Sequence, residues 1–551
     1  MTVAYCVMEI GLESDMPTYA GGLGILAGDT AYTFADLGIP AVFVTLLYKA
    51  GYTRQKLTAG GLQMDQEFRW PYKEKLTPLA PVVQLEAGSQ QMKARMWQYT
   101  IKGKRDVPVI FLDTDVQDNP PIFKAATEKL YQSTGAARLT QELLLGVGGF
   151  RALKALGYDV DLYMMNEGHA ALLTVELLKE FKSPKEVRRR CMFTTHTPVA
   201  GGHDAFPIPM VQDLMKAYTW MDWRSESVDG SLNLSRLASK YSCVTNAVSL
   251  KHEYVSRIIL GRNDVDHVTN GVYHKRWVHE DLRRVFDRYL PLWGDEPSLL
   301  SNAYRIPSAD LAKAHDAAKA KMVAMANASS KGGFAADVLT IGIAKRITAY
   351  KRNGLILTDA SKLASIADSA GGIQIVFSGK AHPDDDIGKN GIVHILTQAA
   401  AVMKKTSKVR VAFLEDYSID IARTMVSGCD LWLNNPKRPL EASGTSGMKA
   451  AMNGVLNFST WDGWWLEGGV ERVNGWGIGK RPQWDDLSES DEAEDLRDLY
   501  SKLSEEILPL YYNDRGRWLE MAKASIATIG PRFNTHRMVR EYLTKWYAAA
   551  D

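Results

Sequence analysis

Short, continuous apolar runs, each followed by turn residues and then by a helical pattern, recur in two successive series along this 551-residue chain. The first series has runs at 40–47, 107–112 and 161–165, with a helical stretch at 24–37 leading into the first of them. The second has runs at 337–344, 372–378, 409–414 and 431–434, with helical patterns at 354–367, 388–404 and 417–428 between them. A strand buried on both faces shows no polar alternation, and strands separated by helices pair in parallel through crossovers. The pattern therefore predicts an α/β chain with two Rossmann-like, doubly wound domains, 1–270 and 271–530. A further helix over residues 531–551 carries Met538, Val539, Tyr542, Leu543 and Trp546 at helical spacing. A length of this order suits about two to four domains. In doubly wound sheets ligands bind beyond the carboxyl ends of the strands, so functional residues are sought just after each run.

Composition removes several function classes. Hydrophobic residues make up 46% and charged residues 24%, as in ordinary globular proteins. Lysine and arginine number 66 against 64 acidic residues, and no long basic tail is present, so no nucleic-acid partner is expected. Cys6, Cys191, Cys243 and Cys429 are scattered without a C-x-x-C pair. That argues against a disulfide framework or a zinc site and suits a reducing compartment, and no metal is expected. The apolar start Met1–Val7 lacks a basic leader and is followed by Glu9, so it reads as a strand. No run of about 18 apolar residues occurs, so no membrane span is expected, and the expected location is the cytoplasm. The acidic run 485–498 suits an exposed helix start.

The residues richest in chemistry are Glu441-Ala442-Ser443-Gly444-Thr445-Ser446-Gly447-Met448-Lys449. Small residues let backbone approach an anion, and a helix start offers N–H groups with a positive end. The hydroxyls of Ser443, Thr445 and Ser446 can cap the helix or bond an anion. Lys449 lies four residues after Thr445, on the same helical face. An amine one turn from a phosphate cradle is what holding pyridoxal 5′-phosphate through a Schiff base requires. An ordinary capped helix with a surface lysine would read the same way, and the segment is not a Walker sequence. Lys345, Arg346 and Lys351 place three cations just after the run 337–344. They suit a solvated turn or a site where two phosphate dianions must be held together.

Six segments in order carry a resemblance to a known family. They are Tyr19-Ala20-Gly21-Gly22-Leu23-Gly24-Ile25-Leu26-Ala27-Gly28-Asp29, Asn166-Glu167-Gly168-His169 with Phe193-Thr194-Thr195-His196-Thr197-Pro198, Val268-Thr269-Asn270-Gly271-Val272, Lys345 to Arg352, Phe413-Leu414-Glu415-Asp416-Tyr417, and the nonapeptide. Together they resemble the α-glucan (glycogen, starch and maltodextrin) phosphorylases, in their short microbial branch. The resemblance implies the GT-B glycosyltransferase fold, with the active site in the cleft between the domains and the C-terminal helix crossing back to the first. It implies reversible, retaining phosphorolysis of α-1,4-glucan or maltooligosaccharide by inorganic phosphate, giving α-D-glucose 1-phosphate, with the cofactor's phosphate relaying a proton.

The resemblance also implies roles. Lys449 would carry the cofactor, Thr445 and the backbone of Ser446 would hold its phosphate with Lys345, and Tyr417 would pack beside its ring. Arg346 and Lys351 would hold inorganic phosphate. His196, Asn270, Glu441, Ser443 and Gly444 would line the sugar pocket, with Glu167 and His169 nearby. Gly22 and Leu23 would turn backbone N–H groups towards phosphate. A homodimer is expected from the family alone. Gly11 stands where long-form members have an aromatic that meets the cofactor, and no counterpart of the phosphorylated N-terminal arm of animal members is read in the sequence. Two other readings remain. A sugar-nucleotide glucosyltransferase of the glycogen-synthase type would share the fold but not need Lys449. A non-catalytic glucan-binding protein would need none of these residues together. The tryptophans at 461, 464, 465, 476 and 484 either fill a core or stack on sugars, and core is the preferred reading.

Overall fold

A computed structural model describes residues 1–330 and 332–550. The chain divides into two compact units. The first comprises Met1–Thr53, Glu67–Thr269 and the residues from Met538 onward; the second comprises Arg54–Gln66 and Asn270–Arg537. The short segment Arg54–Gln66, a hairpin in which Arg54–Leu57 pairs antiparallel with Gln63–Gln66, lies inside the sequence range 1–270 yet groups with the second unit.

The first unit is built on a nine-stranded sheet. Its strands are β1 (Val3–Val7), β2 (Ala41–Leu46), β3 (Thr77–Ala87), β4 (Gln90–Ile101), β5 (Val107–Asp113), β6 (Leu162–Asn166), β7 (Cys191–Thr194), β8 (Val244–Ala247) and β9 (Asp266–His267). They lie in the order β9-β8-β7-β6-β1-β2-β5-β4-β3. β9 to β5 pair in parallel, whereas β4 and β3 add antiparallel strands at one edge. The sheet is therefore mixed, which corrects the all-parallel expectation. The missed hairpin shows the other strand signature. Val83, Leu85 and Ala87 face Met92, Ala94 and Met96 in one core, and their neighbours are more exposed. The strands are joined through a two-residue loop with Gly88 at φ 63°.

Period-two alternation also explains the two layers covering this sheet. Ala4 and Cys6 enter one apolar cluster, and Val3, Tyr5 and Val7 enter the other. Met538, Val539, Tyr542 and Trp546 of the helix Thr535–Ala550 belong to the second cluster.

The second unit carries a six-stranded sheet in which every pair is parallel. Its strands are β10 (Thr340–Ala344), β11 (Ile373–Ser378), β12 (Val409–Leu414), β13 (Leu431–Asn434), β14 (Leu456–Thr460) and β15 (Gly475–Ile478), in the order β12-β11-β10-β13-β14-β15. The helix expected over 354–367 is a short turn, Leu355–Leu357, followed by the helix Ala360–Asp368. The break is set by Asp359, whose carboxylate accepts from Lys362 N as an N-cap. Trp461, Trp464, Trp465 and Trp476 are buried, as the core reading required, and Trp484 is half-buried.

Beneath β10 and β13 lies a buried charged cluster. Lys319 donates to Asp430 Oδ2 at 2.6 Å, to the Val338 carbonyl at 2.8 Å and to the Tyr511 hydroxyl at 2.8 Å. Asp430 also accepts from Thr340 N at 2.8 Å and pairs with His315 Nε2 at 3.0 Å. No described helix is long and apolar enough to cross a membrane, and the four cysteines are free.

Candidate functional site

In the parallel part of each sheet the strand order reverses at one point, and candidate residues lie at the carboxyl ends on either side of it. In the second unit that point lies between β10 and β13. Lys345 follows β10 and donates to Asn435 Oδ1 at 2.9 Å, just past β13. Asn435 in turn donates to the Arg352 carbonyl at 2.8 Å, and Arg352 returns its Nε to the Asn435 carbonyl at 2.9 Å. The basic segment is thereby stitched to the loop that leads into the nonapeptide. Lys351 forms a largely buried ion pair with Glu441, and Arg346 is exposed.

Two of the cations here are already paired, Lys351 with Glu441 and Arg352 with the buried Asp495 at 2.7 Å. Lys345 is pushed well below an ordinary lysine, first by burial and then by repulsion from Lys351 and Arg352, against the pull of Glu441. Burial also opposes the charge on Lys351, but Glu441 outweighs it and raises that amine. A dianion among these groups would restore Lys345 to its charged form.

The nonapeptide loop is more compact than a long capped helix. The helix Ser446–Ala451 has 6 residues, and Thr445 provides no side-chain cap. This corrects the capping expectation and leaves little macrodipole, so binding there rests on side chains and close backbone. Gly444 has φ 80°, a region other residues adopt at a cost. At Gly447 a Cβ would meet Asn457 Oδ1 at 2.3 Å. Ser443 Oγ and Asn457 Oδ1 are buried without a hydrogen-bond partner. Ser446 Oγ accepts from Trp432 Nε1 at 3.1 Å.

Lys449 is buried, with Nζ 3.7 Å from the centre of the Trp277 ring. Asn453 Nδ2 ties the two, donating to the carbonyls of Trp277 and Lys449 at 2.9 Å each. Tyr417 is half-buried in the loop after β12. Asn270 opens the second unit; its Oδ1 is buried without a partner, while its carbonyl accepts from Arg537 at 3.2 Å.

In the first unit the reversal lies between β1 and β6, and Glu9, Glu167 and His196 stand at the ends of β1, β6 and β7. Glu167 has φ 68°, a strained backbone for a side-chain-bearing residue. Its carboxylate accepts from His196 N at 2.7 Å and Thr197 Oγ1 at 2.9 Å, with longer bonds from Gly168 N, Thr195 and Ser235. Burial would raise this carboxyl, but His203, His196 and His169 around it outweigh that and hold it below the usual range. Five internal donors make Glu167 a clamp on the His196 segment. His196 itself is pushed down to about 4, chiefly by burial, and its Nε2 is buried with no hydrogen-bond partner. His169 Nε2 lies 3.4 Å from Asp204, which also pairs with Arg138 at 2.8 Å. Glu142 joins this group, but Arg138 already supplies its cation.

Gly22 is exposed at the start of the helix Gly22–Leu37, with no atom within 4 Å of where a Cβ would stand, and Leu23 is half-buried beside it. Glu9 fixes the loop before them: Oε2 accepts from Ala20 N at 2.5 Å and Gly21 N at 3.1 Å, while Tyr131 donates to Oε1 at 2.7 Å. Sequence reasoning missed Glu9, Trp277, Asn435 and Asn457 as supports. Glu9 gave a signal, a carboxylate directly after an apolar strand; the others gave none.

Sequence comparison agrees with this geometry. Residues 209–470 match the carbohydrate phosphorylase family. The chain is 38% identical to a maltodextrin phosphorylase of Thermococcus litoralis, over 100% of this chain and 70% of that protein. It is 33% identical to a glycogen phosphorylase of Aquifex aeolicus, over 99% of this chain and 86% of that protein. An uncharacterized protein of Methanocaldococcus jannaschii is 29% identical over 99% of both chains. The chain belongs to the carbohydrate phosphorylase family.

Proposed function

We propose that this phosphorylase cleaves α-1,4-glucans or maltooligosaccharides with inorganic phosphate, reversibly and with retention, to give α-D-glucose 1-phosphate. The fold proposed is GT-B, with residues 1–270 and 271–530 as its domains apart from the hairpin Arg54–Gln66 and the C-terminal helix. The observation that carries the reading is the convergence of Lys345 and Lys351, at the carboxyl end of β10, on Glu441 at the start of the loop that holds Lys449. The maltodextrin and glycogen phosphorylases among the relatives support the substrate class.

The residues present fit pyridoxal 5′-phosphate. Lys449 offers a buried amine against an aromatic face, and Ser443 and Asn457 present buried oxygens without partners. Thr445, Ser446 and Lys345 would hold its phosphate, and Tyr417 would flank its ring. When bound, the cofactor would supply a phosphate group able to exchange a proton with inorganic phosphate.

The remaining chemistry falls to the chain's own groups. Arg346 and Lys351 bind and orient inorganic phosphate, and their charge offsets the negative charge that gathers during transfer. Glu441, Ser443, Gly444 and Asn270 hold sugar hydroxyls. His196 is neutral at pH 7, so it serves as a hydrogen-bonding group at the glucosyl unit. Glu167 positions it, and His169 steadies the Asp204–Arg138 group nearby. Gly22 and Leu23 present backbone N–H groups to phosphate on a loop that Glu9 holds.

Borohydride reduction followed by peptide mapping tests the reading. The pyridoxyl label is expected on Lys449. A label on another lysine, or full activity without any label, overturns the assignment. The sugar-nucleotide transferase reading has no use for Lys449, and no observation favours it.

A further inference from the structure

We propose that the hairpin Arg54–Gln66 is a built-in occupant of the nucleoside position of the second sheet, and that it shuts nucleoside diphosphates out of this unit. In a mononucleotide-binding βαβ unit the phosphate lies on the turn after the first strand, and the nucleoside extends along the carboxyl ends of the strands beside it. Here the first strand is β10, and its turn carries Lys345, Arg346 and Lys351. The neighbouring strand, β11, ends at Ser378 and leads into Gly379-Lys380-Ala381; β12 ends at Leu414 and leads into Glu415-Asp416. These loops are where ribose and base would lie.

Two buried carboxamides of the hairpin occupy them. Gln55 Nε2 donates to the Gly379 carbonyl at 2.9 Å, and Gln55 Oε1 accepts from Asp416 N at 2.9 Å. Gln63 Oε1 accepts from Ala381 N at 2.9 Å, and Gln63 Nε2 donates to the Ala381 carbonyl at 3.0 Å. The two glutamines are joined through Gln55 Nε2 and Gln63 Oε1 at 2.8 Å. Backbone follows: Gln55 N donates to Asp416 Oδ1 at 3.0 Å and Leu57 N to Glu415 Oε2 at 3.1 Å.

A carboxamide presents a donor and an acceptor side by side, the edge by which a nucleobase is read by the N–H and carbonyl of a loop. Gln55 and Gln63 are 1% and 3% exposed. Packing alone would be served by apolar side chains, since a buried amide is costly unless fully bonded. The occupied loop also abuts the phosphate segment. At Gly379 (φ 152°) a Cβ would stand 2.1 Å from the Lys345 carbonyl, and Ile347 N donates to the Lys380 carbonyl at 3.0 Å.

The inference rests on the phosphate assignment of Lys345, Arg346 and Lys351 made above. Its test is binding without turnover, so a failure of phosphorolysis in the unaltered enzyme would be seen separately. The probe is an N-methylanthraniloyl derivative of ADP, titrated by fluorescence anisotropy against the wild-type holoenzyme, Gln63→Ala and Gln55→Ala/Gln63→Ala, with circular dichroism as a check of folding. The wild type is expected to show no saturable binding. The folded variants should bind the probe at least about tenfold more tightly, a shift worth about 1.4 kcal/mol, and inorganic phosphate should displace it. If the double variant does not fold, Gln63→Ala decides alone. Wild-type binding as tight as that of a variant, or folded variants with no gain, would overturn the proposal.

Discussion

Replacing Lys319 with methionine should reverse the pH dependence of stability under the second sheet. In the wild type, burial would raise the Asp430 carboxyl, but Lys319 and His315 more than offset this, and Asp430 is held well below its ordinary value. A folded value below the unfolded one, about 3.9, means that the stabilisation is complete above that pH and is lost on further acidification. Between pH 5 and 7 this group therefore gives the wild type no slope. Lys319→Met removes three hydrogen bonds and leaves a carboxylate with zero exposure that keeps Thr340 N, His315 and the Tyr511 hydroxyl but has lost its lysine. Breaking such a buried pair from one side costs about 3–5 kcal/mol at neutral pH. Burial then dominates, and the folded value of Asp430 rises above the unfolded one. The contribution becomes fullest below about pH 3.9 and fades as pH rises, so the variant should recover up to about 1.4 kcal/mol per unit of acidification. Hydrogen exchange across β10 and β13, compared with wild type at pH 5 and 7, reads the difference locally, which matters because a two-unit chain need not unfold in one step. A deficit that is the same at both pH values, or below about 1 kcal/mol, would refute the reasoning from a buried charge.

Two other outcomes follow from the sites. His196 and His252 are both pushed down to about 4, mainly by burial, so their neutral forms stabilise the first unit fully above about pH 6.5 and that contribution is lost as pH falls towards 4. His196→Asn should roughly halve the slope from this pair, read by hydrogen exchange across β7 at pH 4.5 and 7; an unchanged slope counts against a buried neutral His196. Arg346→Ala should lower kcat and raise the KM for phosphate together, with kcat/KM down by about 10²-fold or more. A loss confined to glucan affinity would contradict the phosphate assignment.

How much was legible in the sequence depended on which signal each element carried. β12 and β13 read correctly to the residue, because strands buried on both faces leave unbroken apolar runs between turn residues. The β3–β4 hairpin was missed because its amphipathic alternation resembles surface sequence when the search is for continuous runs. Lys345, Lys351 and Glu441 come together at one reversal point, in keeping with their places after β10 and β13. The interior attachments were not legible. Nothing in the sequence shows that Glu167 spends its carboxylate on the His196 segment, that Asn453 links Trp277 to Lys449, or that Gln55 and Gln63 satisfy loops more than three hundred residues away. Such partners depend on tertiary approach, and a lone Gln or Asn in sequence carries no mark of it.

The first unit contains both ends of the described chain. Met538 and Tyr542 pack in the same cluster as Val3 and Tyr5, Trp546 Nε1 donates to the Arg189 carbonyl at 2.9 Å, and Arg189 Nε donates to the Ala550 carbonyl at 2.7 Å. Synthesis runs in one direction, and domains usually fold in the order in which they emerge. Here the unit made first is finished last, because Met538, Val539, Tyr542 and Trp546 are translated only after every strand of the second sheet. Meanwhile the cluster of Val3, Tyr5 and Val7 has the helix Gly22–Leu37 over it but still lacks Met538, Val539, Tyr542 and Trp546. A premature stop within the last helix would therefore be felt hundreds of residues upstream, around β1, while the second sheet, already complete, would be left intact.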